Sequence, residues 1–241
     1  MKYKNRKNIV IVGASGHGAV VLDCIEKEGR YNVVGFIDTY KKKGTKLNGY
    51  TILGSEYDLL YLMEKYQFSS GIVAIGDNWV RKIMVDRLLN IMPNFDFIKV
   101  LHPTASVGKN VTIGKGTVLM PGAVVDSNSS IGDFCILNTN ASLGHDGTID
   151  DFSSFAPKVC TGGNLSLGKY SAICLGANVI DNITIGQHTV IGSGALVLGK
   201  IGSNVLVYGA PAKEIRKREI GEPYMSGGKK ASSVISLVSG D

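Results

Sequence analysis

From Leu101 onward a branched or bulky apolar residue returns at every sixth position. The series runs Leu101, Val107, Ile113, Leu119, Val125, Ile131, Leu137, Leu143, Ile149, Phe155, Thr161, Leu167, Ile173, Val179, Ile185, Ile191, Val197 and Ser203. Only Thr161 and Ser203 in it are polar. The residue four later is small or aliphatic, as at Ala105, Thr117, Ala123, Ala141, Ala177 and Ala195. Gly commonly follows the apolar residue, as at Gly108, Gly114, Gly132, Gly144, Gly168, Gly186 and Gly192. A β-sandwich would alternate with irregular turn spacing instead. A fixed period of this kind marks stacked repeats, each burying its apolar side chain against the next. Each hexapeptide is read as one short strand and one corner, with Gly expected to supply the corner backbone. Three hexapeptides close a triangular coil, so residues 101–208 are expected to form six coils about 4.8 Å apart.

Residues 1–97 follow another pattern. Asn8–Val12, Val33–Ile37 and Gly71–Ile75 are short β-branched runs, which suits buried parallel strands. Between and after them, Ala19–Glu28, Tyr57–Tyr66 and Asn78–Ile91 read as helices. The order βαβαβα predicts a small Rossmann-like parallel sheet with helices on its faces. The chain thus divides into an α/β domain over 1–97, a parallel β-helix over 98–212 and a tail over 213–241. The part of the tail after Tyr224, rich in Ser and Gly, is expected to be loosely held.

A net charge of +6 attracts polyanions, but the lysines and arginines are scattered. The clusters at 41–43 and 213–218 lack interleaved aromatics, so nucleic acid is not expected as a partner. Cys24, Cys135, Cys160 and Cys174 form no CxxC pair, which suits free thiols in a reducing cytoplasm. No stretch is long and apolar enough to act as a signal peptide or to span a membrane.

Gly13, Ser15, Gly16 and Gly18 fall between the first strand and the first helix. Such a turn presents backbone N–H groups and a helix N-terminus to phosphate. Asp38 lies twenty residues after Gly18, as in a dinucleotide fingerprint. About three strands make only half of a dinucleotide fold, and one half suits one nucleotide. His17 is a candidate donor to a pyrophosphate, or a satisfied turn histidine. Asp77, Asn78 and Arg81 are expected at the same crevice beyond the strand ends, with Arg81 near phosphate. A plain surface arginine is the competing reading.

Three of the four histidines, His102, His145 and His188, lie in the repeats. They fall in the first, third and fifth coils, so the outer pair stands about 19 Å apart. A metal needs every ligand about 2 Å away, so no shared zinc is expected. His102 and His188 are read as structural. His145 sits third in its hexapeptide, at an outward corner, followed by Asp146. By position alone it is an exposed surface histidine, though a neighbouring carboxylate orients such a ring and raises its basicity.

The repeats resemble those of the left-handed β-helix acyltransferases, and Val207-Tyr-Gly-Ala-Pro-Ala-Lys213 resembles their closing segment. Gly13-Ala-Ser-Gly-His-Gly18, Gly35-Phe-Ile-Asp38 and Ala74-Ile-Gly-Asp-Asn78 are similar to the sugar O- or N-acyltransferases of the sialic acid O-acetyltransferase type. Within that group the nearest are enzymes acting on nucleotide-linked 4-amino sugars. The resemblance covers residues 8 to about 218. It implies left-handed coils, a homotrimer, a nucleotide-linked amino sugar on the first domain, and acetyl-CoA as donor. Asn138-Thr-Asn-Ala-Ser-Leu-Gly-His-Asp146 resembles the family's catalytic coil. That implies His145 as general base, Asp146 as its orienter, and Asn138 with Thr139 as sugar contacts. CoA is then expected in a groove between subunits, against Ser154, Gly163, Gly176, Ala177, Gly194 and Ala195, with the Gly163 N–H serving the oxyanion. Some relatives carry a second His where this chain has Ser154. Expected alternatives are O-acetylation of a sialic-acid-type sugar, or a non-catalytic nucleotide-sugar-binding trimer.

Overall fold

The structure, a computed structural model, describes residues 6–225. The first domain is built on strands β1 (Lys7–Val12), β2 (Tyr31–Ile37), β3 (Lys46–Leu47), β4 (Tyr50–Gly54), β5 (Ser70–Val73) and β6 (Asp96–Phe97). The sheet order is β3-β4-β2-β1-β5-β6, parallel except for β3. Ile9 and Ile11 of β1 face α1 (Gly16–Glu28), while Val10 and Val12 face α2 (Leu59–Tyr66) and α3 (Asn78–Ile91). A strand with both faces covered must be apolar throughout, as this one is.

The sheet has twice the expected number of strands. The β3–β4 pair is a hairpin closed by Asn48 and Gly49, with φ of 46° and 87°. Two successive positive φ values make the twisted two-residue turn that Asn-Gly favours, so the dipeptide was a readable signal for the missed strand.

The second domain is a left-handed parallel β-helix. Seventeen two-residue strands, from Val100–Leu101 to Leu196–Val197, pair parallel with the residue eighteen positions away, as Val118 does with Val100 and Ile136. From Leu119 to Val197 the six-residue series points inward and forms one continuous core, which Val205 and Val207 extend.

Two details of the coil differ from expectation. The left-handed backbone recurs at every sixth position, but at Asn110, Asn128, Phe134, Asn140, Asp146 and their successors, three residues after the apolar position. Asn and Asp tolerate this conformation, and stacking holds the aromatics in it. The glycines directly after the apolar residue serve close approach instead. A Cβ on Gly114 would stand 2.4 Å from the Gly132 carbonyl carbon of the next coil. The rhythm also slips after Val197. Ile191 pairs with Val207, a sixteen-residue step, and Ser203 lies exposed. The last side is two residues short.

The three faces of the prism differ. The first carries outward Val118, Ile136, Ser154, Ala172 and Val190, all buried beneath the first domain and the closing segment. The second carries Val124, Cys160 and Asn178, exposed, with Leu175, Ile180 and Leu198 at its margins. The third presents Thr112, Ser130, Thr148, Ser166 and Thr184 to solvent. Where the first domain meets the helix, Phe134, Phe152, Tyr170 and His188 stack up one corner, with centroids 4.8, 5.6 and 4.6 Å apart. Trp79 of α3 packs against Tyr170 and His188.

Residues 213–225 do not trail away as a tail. Lys213–Lys217 pairs antiparallel with Val205–Tyr208, and the chain then returns across the first face. The Ser- and Gly-rich stretch from 226 to 241 lies outside the described residues.

Candidate active site

His145 leaves the coil at the far edge of the second face, two residues beyond the strand Ser142–Leu143. Its side chain is 59% exposed, and Nδ1 stands 2.7 Å from Asp146 Oδ2. That hydrogen bond lifts the imidazole above its ordinary value, and the negative field of Asp181 and Asp126 adds to it. The same bond lowers the Asp146 carboxyl. Asp146 occupies a left-handed corner position in line with Asn128 below it and Asn164 above, and the Asn128 amide hydrogen-bonds to its carboxylate. The acid thus stands in an asparagine ladder, held to one side of the ring.

Gly163, one coil further on, lies directly against the imidazole. A Cβ there would be 2.5 Å from His145 Cε1 and Nε2. Its N–H is already donated to Asp181 Oδ1 at 2.8 Å, so it does not serve as the oxyanion donor expected from sequence. Gly176 and Gly194 are left-handed corners with open space beside them, on the edge between the first and second faces. Ala177 and Ala195 do not join them on the surface. Both are fully buried in the prism, because the small residue four after each apolar position points inward. Neither can touch CoA.

A cavity of about 320 Å³ opens on the first face, where both domains and the closing segment meet. It is lined by His17 and Gly76, by Asn138, Ser154 and Cys174, and by Tyr224 and Met225. Asn138 Oδ1 accepts from the N–H of Thr139 at 2.8 Å. Ser154 Oγ bonds to the Tyr224 hydroxyl at 3.0 Å. Burial, helped by the Arg81 guanidinium, lowers His17 to about 4. The ring is therefore neutral at working pH, and its Nε2 is buried without a partner. His145 does not line this cavity; it stands across the second face from it.

The glycine turn is built for close approach. A Cβ on Gly18 would lie 2.2 Å from the Gly13 carbonyl oxygen, and Gly13 itself has a φ of 107°. Ser15 caps α1 without a side-chain hydrogen bond, and Gly16 faces open space. Asp38 locks the turn, accepting from Ala14 N at 2.7 Å and from Tyr40 N and Lys41 N, each at 2.9 Å.

Asp77, Asn78 and Arg81 do other work than expected. Asp77 caps α3, accepting from Trp79 N and Val80 N. Arg81 is 1% exposed. It donates to the carbonyls of Phe134, Ile75, Gly76 and Phe152 and to Asn78 Oδ1. Asn78 in turn donates to the Ser171 carbonyl at 3.0 Å. A guanidinium with every N–H committed to backbone and amide has none for phosphate. These residues pin α3 to the corner of the β-helix.

His102 is buried, with Nδ1 accepting from Thr104 N, and His188 is lowered by burial within the aromatic stack. Among the described residues no three His, Cys, Asp or Glu side chains are grouped to hold a metal. No helix among them is long and apolar enough to cross a membrane.

The PglD N-terminal domain family matches residues 8–88. PerB from Caulobacter crescentus, solved in complex with CoA and GDP-perosamine, is 31% identical, over 87% of this chain and 97% of that one, with a TM-score of 0.81. This chain belongs to the hexapeptide-repeat acetyltransferases of nucleotide-linked amino sugars. A second member, the acetyltransferase domain of PglB from Neisseria gonorrhoeae in complex with acetyl coenzyme A, is 30% identical over 88% of this chain and 100% of that one, with a TM-score of 0.79. A third, the UDP-N-acetylbacillosamine N-acetyltransferase of Bacillus subtilis, is 35% identical over 116 residues. That match spans 51% of the relative's length and 47% of this chain.

Proposed function

We propose that this chain transfers the acetyl group of acetyl-CoA to the amine of a UDP-, dTDP- or GDP-linked 4-amino-dideoxy sugar, directly and with His145 as general base. The observation that carries this is the His145–Asp146 pair, exposed and raised in basicity, on a β-helix whose relatives were solved with CoA and a nucleotide-linked amino sugar. The amine attacks the thioester carbonyl and His145 takes the proton it sheds. The CoA thiolate then leaves, and no enzyme-bound acyl intermediate is required. Asp146 fixes the ring and stabilises its protonated form. The nucleotide lies over the Gly13–Gly18 turn, and Asn138 and Thr139 hold the sugar. CoA runs along the glycine corner at Gly176 and Gly194, past Ser154.

The working unit is a homotrimer. The second face is the one exposed face with apolar side chains, and it separates the His145 edge from the cavity edge. Packing copies through this face brings one chain's base to the next chain's cavity. The buried free thiols Cys24 and Cys135 suit a cytoplasmic location.

The deciding experiment measures CoA release across a panel of UDP-, dTDP- and GDP-linked 4-amino sugars, with free sialic acid as the O-acetylation control. Turnover on an amino sugar, reduced about 10²–10⁴-fold in His145→Ala, is the expected result. Turnover that survives intact in His145→Ala removes the base, and release with sialic acid alone removes the amine acceptor.

A further inference from the structure

We propose that Asp181 is a positioning residue for the base: it pins the glycine on which the His145 ring rests and holds an unneutralised carboxylate beside that ring, a role that rests on the transferase function above.

His145, Gly163 and Asp181 follow one another at steps of eighteen, so they stand in one column on three successive coils. The outer two lean onto a single dipeptide. A Cβ on Gly162 would lie 2.7 Å from Asp181 Cγ and Oδ1, and a Cβ on Gly163 would lie 2.5 Å from His145 Cε1 and Nε2. Two adjacent glycines thus admit the carboxylate from the coil above and the imidazole from the coil below. The Gly163 N–H donates to Asp181 Oδ1 at 2.8 Å, and the Gly163 carbonyl accepts from Asn182 N at 2.9 Å. Gly163 is therefore held at both of its backbone polar groups, and Asp181 supplies one of the two holds.

Another corner of the prism uses the same link with a different charge balance. There Lys115 N donates to Asp133 Oδ1 and Asp133 N to Asp151 Oδ1, each at 2.9 Å. Lys169 closes that ladder, its Nζ 2.9 Å from Asp151 Oδ2. The residue eighteen beyond Asp181 is Gly199, and a Cβ on it would meet nothing within 4 Å. No side chain answers Asp181 from the coil above, and its charge is left to the ring. The charged groups that act on His145 are Asp146, Asp181 and Asp126, all acidic. Asp146 holds Nδ1, which leaves Nε2, over Gly163, as the nitrogen that takes the proton. The imidazolium formed in turnover is the cation that Asp181 faces, and a nearby opposite charge favours that form.

The test compares full-length Asp181→Asn and Asp181→Ala with the parent chain. Asparagine keeps an oxygen for the Gly163 N–H and removes the charge; alanine removes both. Two quantities are measured: the pH dependence of kcat/KM on an amino-sugar substrate, and the titration of the His145 ring without substrates. The second is followed by nuclear magnetic resonance of isotope-labelled histidine and assigned by its loss in His145→Ala. In Asp181→Asn the ring titration and the acidic limb are expected to move together to lower pH, with plateau kcat near the parent's. In Asp181→Ala plateau kcat is expected to fall as well, on the order of 10²-fold, as for a displacement of about 1 Å, with circular dichroism unchanged. A ring titration that stays at the parent's pH in Asp181→Asn overturns the proposal, and decides alone should Asp181→Ala fail to fold. Equal plateau kcat in the two variants overturns it as well. A ring titration that moves in Asp181→Asn while no form, the parent included, turns over an amino sugar would sustain the placement of Asp181 and overturn the transferase reading instead.

Discussion

The imidazole of His145 occupies the space that a side chain at Gly163 would need, with Cε1 and Nε2 both 2.5 Å from the position of a Cβ there. The two residues stand on successive coils at the same edge of the prism. Gly163 has no positive φ, so alanine meets no backbone strain at that position. Gly163→Ala is therefore expected to leave the coil intact and displace the ring. A displacement of about 1 Å costs on the order of 10²-fold in kcat, with circular dichroism and thermal midpoint unchanged. Parental kcat in Gly163→Ala, alongside an inactive His145→Ala, would show that the ring does not rest on Gly163 during turnover.

Asp146 sets the pH profile. A base works when neutral, so kcat/KM is expected to rise with pH through the apparent pKa of His145. The hydrogen bond to Asp146 lifts that value above the ordinary imidazole range. Asp146→Asn removes the lift, and the acidic limb is expected to move to lower pH while the plateau rate falls. A limb that stays in place in Asp146→Asn assigns the titration to another group.

Arg81 separates architecture from substrate binding. Its removal leaves the carbonyls of Phe134 and Ile75 without their buried donor. Arg81→Met is expected to cost about 3–5 kcal/mol of stability, read as a fall of roughly 2–4 °C in thermal midpoint per kcal/mol. A phosphate ligand would behave the other way, raising the nucleotide-sugar KM with the midpoint unmoved.

The contrast between Arg81 and His145 shows what the sequence conveyed. The β-helix was legible because burial in a prism imposes one rule at every sixth residue, and the rule needs no knowledge of neighbours. The His145–Asp146 pair was legible because the partners are adjacent. Arg81 was not, since its acceptors include carbonyls fifty-three and seventy-one residues away. A surface arginine and a buried one look alike before those carbonyls are placed. Ala177 and Ala195 were misread for a simpler reason. The period puts the residue four after the apolar position inside, and their small size matched the requirement of a groove as well as that of a core. The slip after Val197 escaped because Ser203 keeps the spacing while the exposed backbone around it does not.

The positions of Asn138 and His145 on opposite edges of the second face give the trimer a direct test. His145→Ala keeps the cavity and loses the base; Asn138→Ala keeps the base and loses a cavity donor. Each alone is expected to be nearly inactive. Co-expressed in equal amounts, the two chains assemble at random, and a site drawing its base from one chain and its cavity from the next is whole when those two chains carry the complementary defects. In each mixed trimer one of the three sites meets that condition, so activity near a third of the parent's is expected from the mixed trimers, measured as CoA release after purification through two different affinity tags. Mixed trimers as inactive as either variant alone would mean that base and cavity serve the same site within one chain.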